Sequence, residues 1–162
     1  MSTETQKTEV QAQDEVNTGK KLVDPFDFLQ TFPNAPSKVM LESWKAQAPN
    51  GVIRLFAPGN GKRVYLVRGL NGLELKHIQA QIPENTGANL TPEARSAKIE
   101  TELALLVGSK AVVWTSVTPD NKLSKEQLES GPAGLPSTLF NLVTYLSDFL
   151  DPEAIQLMSA EL

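Results

Sequence analysis

Two apolar runs, GVIRLFA and KRVYLVR, flank Pro58-Gly59-Asn60-Gly61, and this pairing restricts the fold more than any other feature of the chain. Glycine and asparagine accept positive φ at low cost, so the four residues read as the loop of a β-hairpin over residues 51–68. A loop from Pro58 to Gly61 sets Ala57 opposite Lys62, Leu55 opposite Val64 and Ile53 opposite Leu66. Ile53, Leu55, Val64 and Leu66 then share a buried face. The other face pairs Arg54 with Tyr65 and Phe56 with Arg63, two aromatic–arginine contacts of about 0.5–1 kcal/mol each at an exposed site. That outer face is a candidate docking surface.

The same stretch invites a second reading, a phosphate-cradling loop, and the spacing argues against it. A P-loop needs glycine, four residues, then Gly-Lys and a Ser or Thr whose hydroxyl ligates magnesium. Counting around Gly61-Lys62 puts Phe56 at the first glycine position and Arg63 at the hydroxyl position. The dinucleotide pattern places its third glycine on Val64, and a strand pattern follows where a helix N-terminus should hold the anion. Phosphate or nucleotide binding is the remote alternative.

Around the hairpin the pattern is helical. Ser37 is a candidate N-cap, with Val39, Met40, Ser43 and Trp44 on one face before Pro49-Asn50-Gly51. LNGLELKHIQAQIP carries Asn71 as a cap and Glu74 three residues on, the capping-box spacing. Thr91-Pro92-Glu93 opens a longer helix with a cap, a first-position proline and an acid in the first turn. Ile99, Leu103, Leu106, Val107, Ala111 and Trp114 keep one face, extending the helix past Gly108 toward Val117; a strand over KAVVWTSV is the competing assignment. A short helix around Lys125–Glu129 precedes a Gly-Pro bend. Leu139, Leu142, Val143, Leu146 and Phe149 then form an apolar stripe, and Asp151-Pro152 restarts the chain as a second member of a final helix pair.

The fold class expected is therefore α+β and mostly helical, one β-hairpin packed against about four or five helices. Residues 1–21 are polar with two isolated valines and read as a disordered tail. Residues 22–36 crowd Phe26, Phe28, Leu29 and Phe32 between Pro25, Pro33 and Pro36, an aromatic arm read either as extended chain on the protein's own core or as a segment that docks on a partner. Residues 37–162 form one α-rich domain.

Composition removes several function classes. A net charge of −4 without a massed basic patch argues against nucleic acid as a partner. The absence of cysteine removes thiolate metal sites, cysteine nucleophiles and disulfides. No signal-peptide core and no stretch of membrane-spanning length is present, so no membrane partner is expected. His77, the only histidine, lacks the companions a metal site requires, and no serine lies in a Gly-x-Ser-x-Gly elbow. Glu100 with Glu102, and Asp148 with Asp151, fall on helical surfaces or ends where solvation and capping account for them. No enzyme, metal or cofactor is expected.

The order of the pieces carries a resemblance. ESWKAQ ends a helix, a short apolar hairpin closes on an arginine, Leu70 to Glu74 forms a Leu-x-x-x-Glu step, and Gly134-Leu135-Pro136 introduces a C-terminal helical unit. This order resembles small tail-morphogenesis proteins of tailed bacteriophages, the tail assembly chaperones and small baseplate or hub components, over roughly residues 37–149. The resemblance implies a non-catalytic factor in the host cytoplasm during assembly that holds a helical tail protein such as the tape measure, with self-association as a further mode. A structural baseplate subunit of the virion tail is the alternative, and the DPFDFLQTFP arm has no counterpart in the family pattern. The residues expected to bind a partner are Phe26, Phe28 and Phe32 in the arm and Arg54, Phe56, Arg63 and Tyr65 on the hairpin.

Overall fold

The computed structural model describes residues 24–147. The expected tail at 1–21, and the helix restarting at Asp151-Pro152 with Phe149 in its preceding stripe, lie outside the described residues. The described chain is α+β and mostly helical: α1 (Pro25–Leu29), α2 (Lys38–Gln47), β1 (Ile53–Phe56), β2 (Tyr65–Arg68), α3 (Gly72–Ala80), α4 (Pro92–Ala111), β3 (Val112–Thr115), α5 (Lys125–Ser130) and α6 (Leu135–Leu146). It divides into a compact unit ending at Pro36 and a second beginning at Ser37.

In the first unit the chain is coiled where extension was one expectation. Asp24 caps α1 by accepting from the Phe26 N–H at 2.8 Å, and Pro25 takes the first helical position, where its missing N–H costs nothing. The helix stops after one turn, ahead of Pro33. The Thr31 hydroxyl donates to the Phe28 carbonyl at 2.7 Å and the Gln30 side-chain amide to the Pro36 carbonyl at 3.0 Å, folding the segment on itself.

In the second unit the three strands form one antiparallel sheet in the order β1-β2-β3. β1 pairs with β2 as Ile53 with Arg68, Arg54 with Val67, Leu55 with Leu66 and Phe56 with Tyr65. This register is two residues wider than the four-residue loop would give. The turn occupies residues 57–64, with Gly59, Asn60 and Gly61 all at φ between 60° and 78°. The cause lies across the sheet: the Val64 N–H donates to the Ser116 hydroxyl at 2.9 Å and its carbonyl accepts from the Thr115 hydroxyl at 2.9 Å. Residues 62–64 are thereby drawn toward the end of β3 and away from β1.

The long helix ends at Ala111 and passes directly into β3, so the strand assignment holds for Val112–Thr115. A run of β-branched and aromatic residues favours the pleated conformation once a partner strand is available. Leu66 faces Trp114 while Val67 faces Val112, a bulge that leaves Val113 as the extra residue. The bulge sends Val112 into the main core and leaves Trp114 beside Leu66. That core gathers Tyr65 and Val67 of β2, Leu70, Ile78 of α3, Leu105, Val107 and Ala111 of α4, Leu123, Leu128 of α5, and Leu135, Leu139, Val143 and Leu146 of α6.

Short-range signals set the helix ends. Ser37, Asn71, Thr91 and Ser124 each accept a backbone N–H in the first turn, and Asn71–Glu74 and Ser124–Gln127 form complete capping boxes. The chain leaves β2 through Gly69, where a Cβ would strike the Leu146 carbonyl group at the end of α6. The Leu70 N–H donates to the Ser147 hydroxyl at 2.8 Å, fastening the same junction.

Candidate functional site

The hairpin face expected to point outward is partly a core face. Arg54, Phe56, Tyr65 and Val67 do share one side of the β1–β2 ladder, but Phe56 stands opposite Tyr65, their ring centroids 6.1 Å apart, and no aromatic–arginine pair forms across it. Tyr65 is 2% exposed and Val67 fully buried, because β2 is the central strand and this side faces the helices. Phe56 is half-buried, Arg54 is exposed on the edge strand, and Arg63 precedes β2 in the turn. In the first unit Phe26, Phe28 and Phe32 are each half-buried, and Phe28 and Phe32 pack edge to face at 5.3 Å. The seven residues are thus three in the first unit and four spread over an edge strand, a turn and the core.

An apolar groove lies outside what the sequence pattern implies. It opens in the second unit among α3, α4 and α6, with a volume of about 320 Å3, and is walled by Leu70, Leu75, Leu103, Val107, Phe140 and Val143. Its polar members are Gln79, Thr144 and Ser147. The Thr144 hydroxyl donates to the Phe140 carbonyl at 2.8 Å and the Ser147 hydroxyl to the Val143 carbonyl at 2.6 Å, so both donors are already engaged within their own helix. The groove can gain by burying apolar surface and has little to offer a polar ligand. The sequence holds half of the signal: Leu103, Val107 and Val143 are on the buried stripes, and only the packing of three helices shows the space left between them among the described residues.

Two further hollows differ in chemistry. One, of about 550 Å3, is polar and is crossed by the Lys125–Glu102 ion pair at 2.6 Å, which raises the Lys125 pKa through the carboxylate's hydrogen bond. The other, of about 290 Å3, brings Arg63 and Tyr65 together with Val117, Leu123 and Leu135. The glycine turn leads into β2, so the helix N-terminus of a phosphate-binding loop does not follow it. His77 is exposed on α3, and among the described residues no group of three or more His, Asp or Glu is placed to hold a metal ion. No helix among the described residues is long and apolar enough to cross a membrane. No family model, curated protein or solved structure matches the chain.

Proposed function

We propose that this protein is a non-catalytic binding factor in phage tail assembly that holds an apolar helical segment of another tail protein, such as the tape measure, in its α3–α4–α6 groove. The observation that carries the reading is the groove itself: among the described residues six apolar side chains form its wall and its hydroxyls are already bonded to their own helices. A helix laying an apolar face into such a groove is a recurring recognition mode, and its affinity comes from desolvated aliphatic and aromatic anchors. The resemblance to tail-morphogenesis proteins supplies the biological setting and the helical client. The aromatic residues Phe26, Phe28 and Phe32 offer a second set of contacts to the same partner.

The test is capture of the tagged protein from the cells that produce it, beside mass spectrometry of the finished particle. The client should be captured by the native chain and lost with Leu75→Gln or Leu103→Gln, two half-buried wall residues, while circular dichroism stays unchanged. Capture that is indifferent to both substitutions would remove the groove from the account. Stoichiometric presence in finished particles would replace the chaperone by a structural baseplate subunit.

A further inference from the structure

The cleft beside Arg63 and Tyr65 has what the groove lacks, a charged hydrogen-bond donor that no described residue engages. Val64, between the two residues, is clamped to β3 through Ser116 and Thr115, which fixes the backbone from which both side chains leave. The Tyr65 ring lies in the core, 2% exposed, while the residue also lines the cleft and its hydroxyl makes no hydrogen bond among the described residues. Burial raises its pKa, with the Arg63 charge opposing in part, so the phenol is a proton donor at neutral pH.

Arg63 makes no ion pair and no side-chain hydrogen bond among the described residues. Its guanidinium folds back along the turn, where a Cβ on Gly59 would come within 3.4 Å of Nη2. The other hydroxyls of the cleft are committed: Thr118 donates to the Lys122 carbonyl at 2.7 Å and Ser130 to the Gln127 carbonyl at 3.3 Å. Among the described residues no carboxylate lines the cleft, and Val117, Leu123, Pro132 and Leu135 give it an apolar wall.

A cationic fork and a neutral O–H donor beside an apolar wall suit an anion that carries its own apolar body. A carboxylate accepts from both donors with one charge to match one guanidinium, and charge-assisted bonds of this kind are the stronger ones. A phosphate would bring more charge than Arg63 offsets and nothing to cover the wall. We propose that this cleft binds the carboxylate of a short apolar acid, as a free acid or as the last residue of a polypeptide. The inference does not depend on the groove or its client.

The experiment is a titration of the isotope-labelled full-length chain, following the amides of Val117, Leu123 and Gly131. The probes are N-acetyl-leucine, phenylpropionate and, as the uncharged control, N-acetyl-leucinamide. Both acids should give saturable shifts and the amide none. Arg63→Gln should weaken acid binding about tenfold, the scale of a hydrogen bond to a charged group. Tyr65→Phe, which keeps the ring in the core, should weaken it about threefold, as for a neutral hydrogen bond. Tighter binding of N-acetyl-leucine assigns the site to a chain end, and tighter binding of phenylpropionate to a free acid. Equal shifts with the amide, no saturable shift with either acid, or binding that ignores Arg63→Gln would overturn the proposal.

Discussion

At the scale of single residues, the clearest arrangement is the pair that ends the hairpin and starts the next helix. Arg68 is 6% exposed, and its guanidinium donates twice to Glu74, at 3.0 and 2.5 Å, and once to the Gly69 carbonyl at 2.9 Å. Glu74 also accepts from the Asn71 N–H at 3.2 Å, so one carboxylate serves an ion pair and a helix cap together. The Arg68 hydrogen bond, ahead of the Asn71 backbone bond and the Arg68 charge, holds the Glu74 pKa below the usual carboxylate value against the opposing effect of burial. A folded-state pKa below the unfolded one gives stability that is complete above the unfolded value, about 4.3, and is lost as pH falls through the folded one. Glu74→Gln should therefore cost about 1.5–3 kcal/mol at neutral pH, the worth of hydrogen bonds to a charged group. It should cost progressively less as the pH is lowered into that acid range. Urea midpoints taken across the acid limb test this, and a native-minus-variant difference that stays constant with pH would sink it. The Leu70 to Glu74 step, legible in sequence as a motif, thus has a structural task that needs no catalytic role.

At the scale of elements, helix ends and helix faces differ in what fixes them. Asn71 and Glu74 satisfy two first-turn donors by contacts within three residues, so Asn71→Ala should destabilise the protein by about 1 kcal/mol. Val39, 79% exposed on α2, should tolerate serine within about 0.5 kcal/mol. Thermal unfolding of the two variants side by side checks both, and a larger loss at Val39 would mean that α2 carries its apolar residues toward a contact. The contrast explains what the sequence could disclose. The caps at Ser37, Asn71 and Thr91 were legible because their partners are local. The α2 face differs from the one its sequence pattern implies: Val39 and Met40 point to solvent, while Leu41 and Trp44 are half-buried and Ala48 buried, and only the adjoining β1 decides between two similar stripes. The hairpin register was missed for the same reason, since Ser116 and Thr115, not the turn residues, place Val64. The cleft at Arg63 and Tyr65 was out of reach altogether, because its wall comes from residues 117–135.

At the scale of the molecule, the second unit has its central strand paired with neighbours from both sides of a long insertion. β1 reaches β2 through a turn, whereas the clamp from Val64 to Ser116 spans 52 positions, and α3 and α4 lie between. Closing that separation costs chain entropy that a single strand pair does not recover, so β3 pairs only when α4 is seated on the core it shares with α6. The main core reinforces this coupling because β2, α3, α4, β3, α5 and α6 all contribute to one cluster. No subset of these elements can leave without opening the surface that holds the others, which predicts a single cooperative transition. Trp114, 2% exposed beside Leu66, reports the sheet, and far-ultraviolet circular dichroism reports the helices. With Trp44→Phe removing the other of the two tryptophans, urea titrations followed by fluorescence and by circular dichroism should give coincident midpoints and slopes. A fluorescence transition that precedes the loss of helix would mean that the sheet opens while the α4–α6 pair persists, and the strand clamp would then be an addition to a helical core rather than part of it.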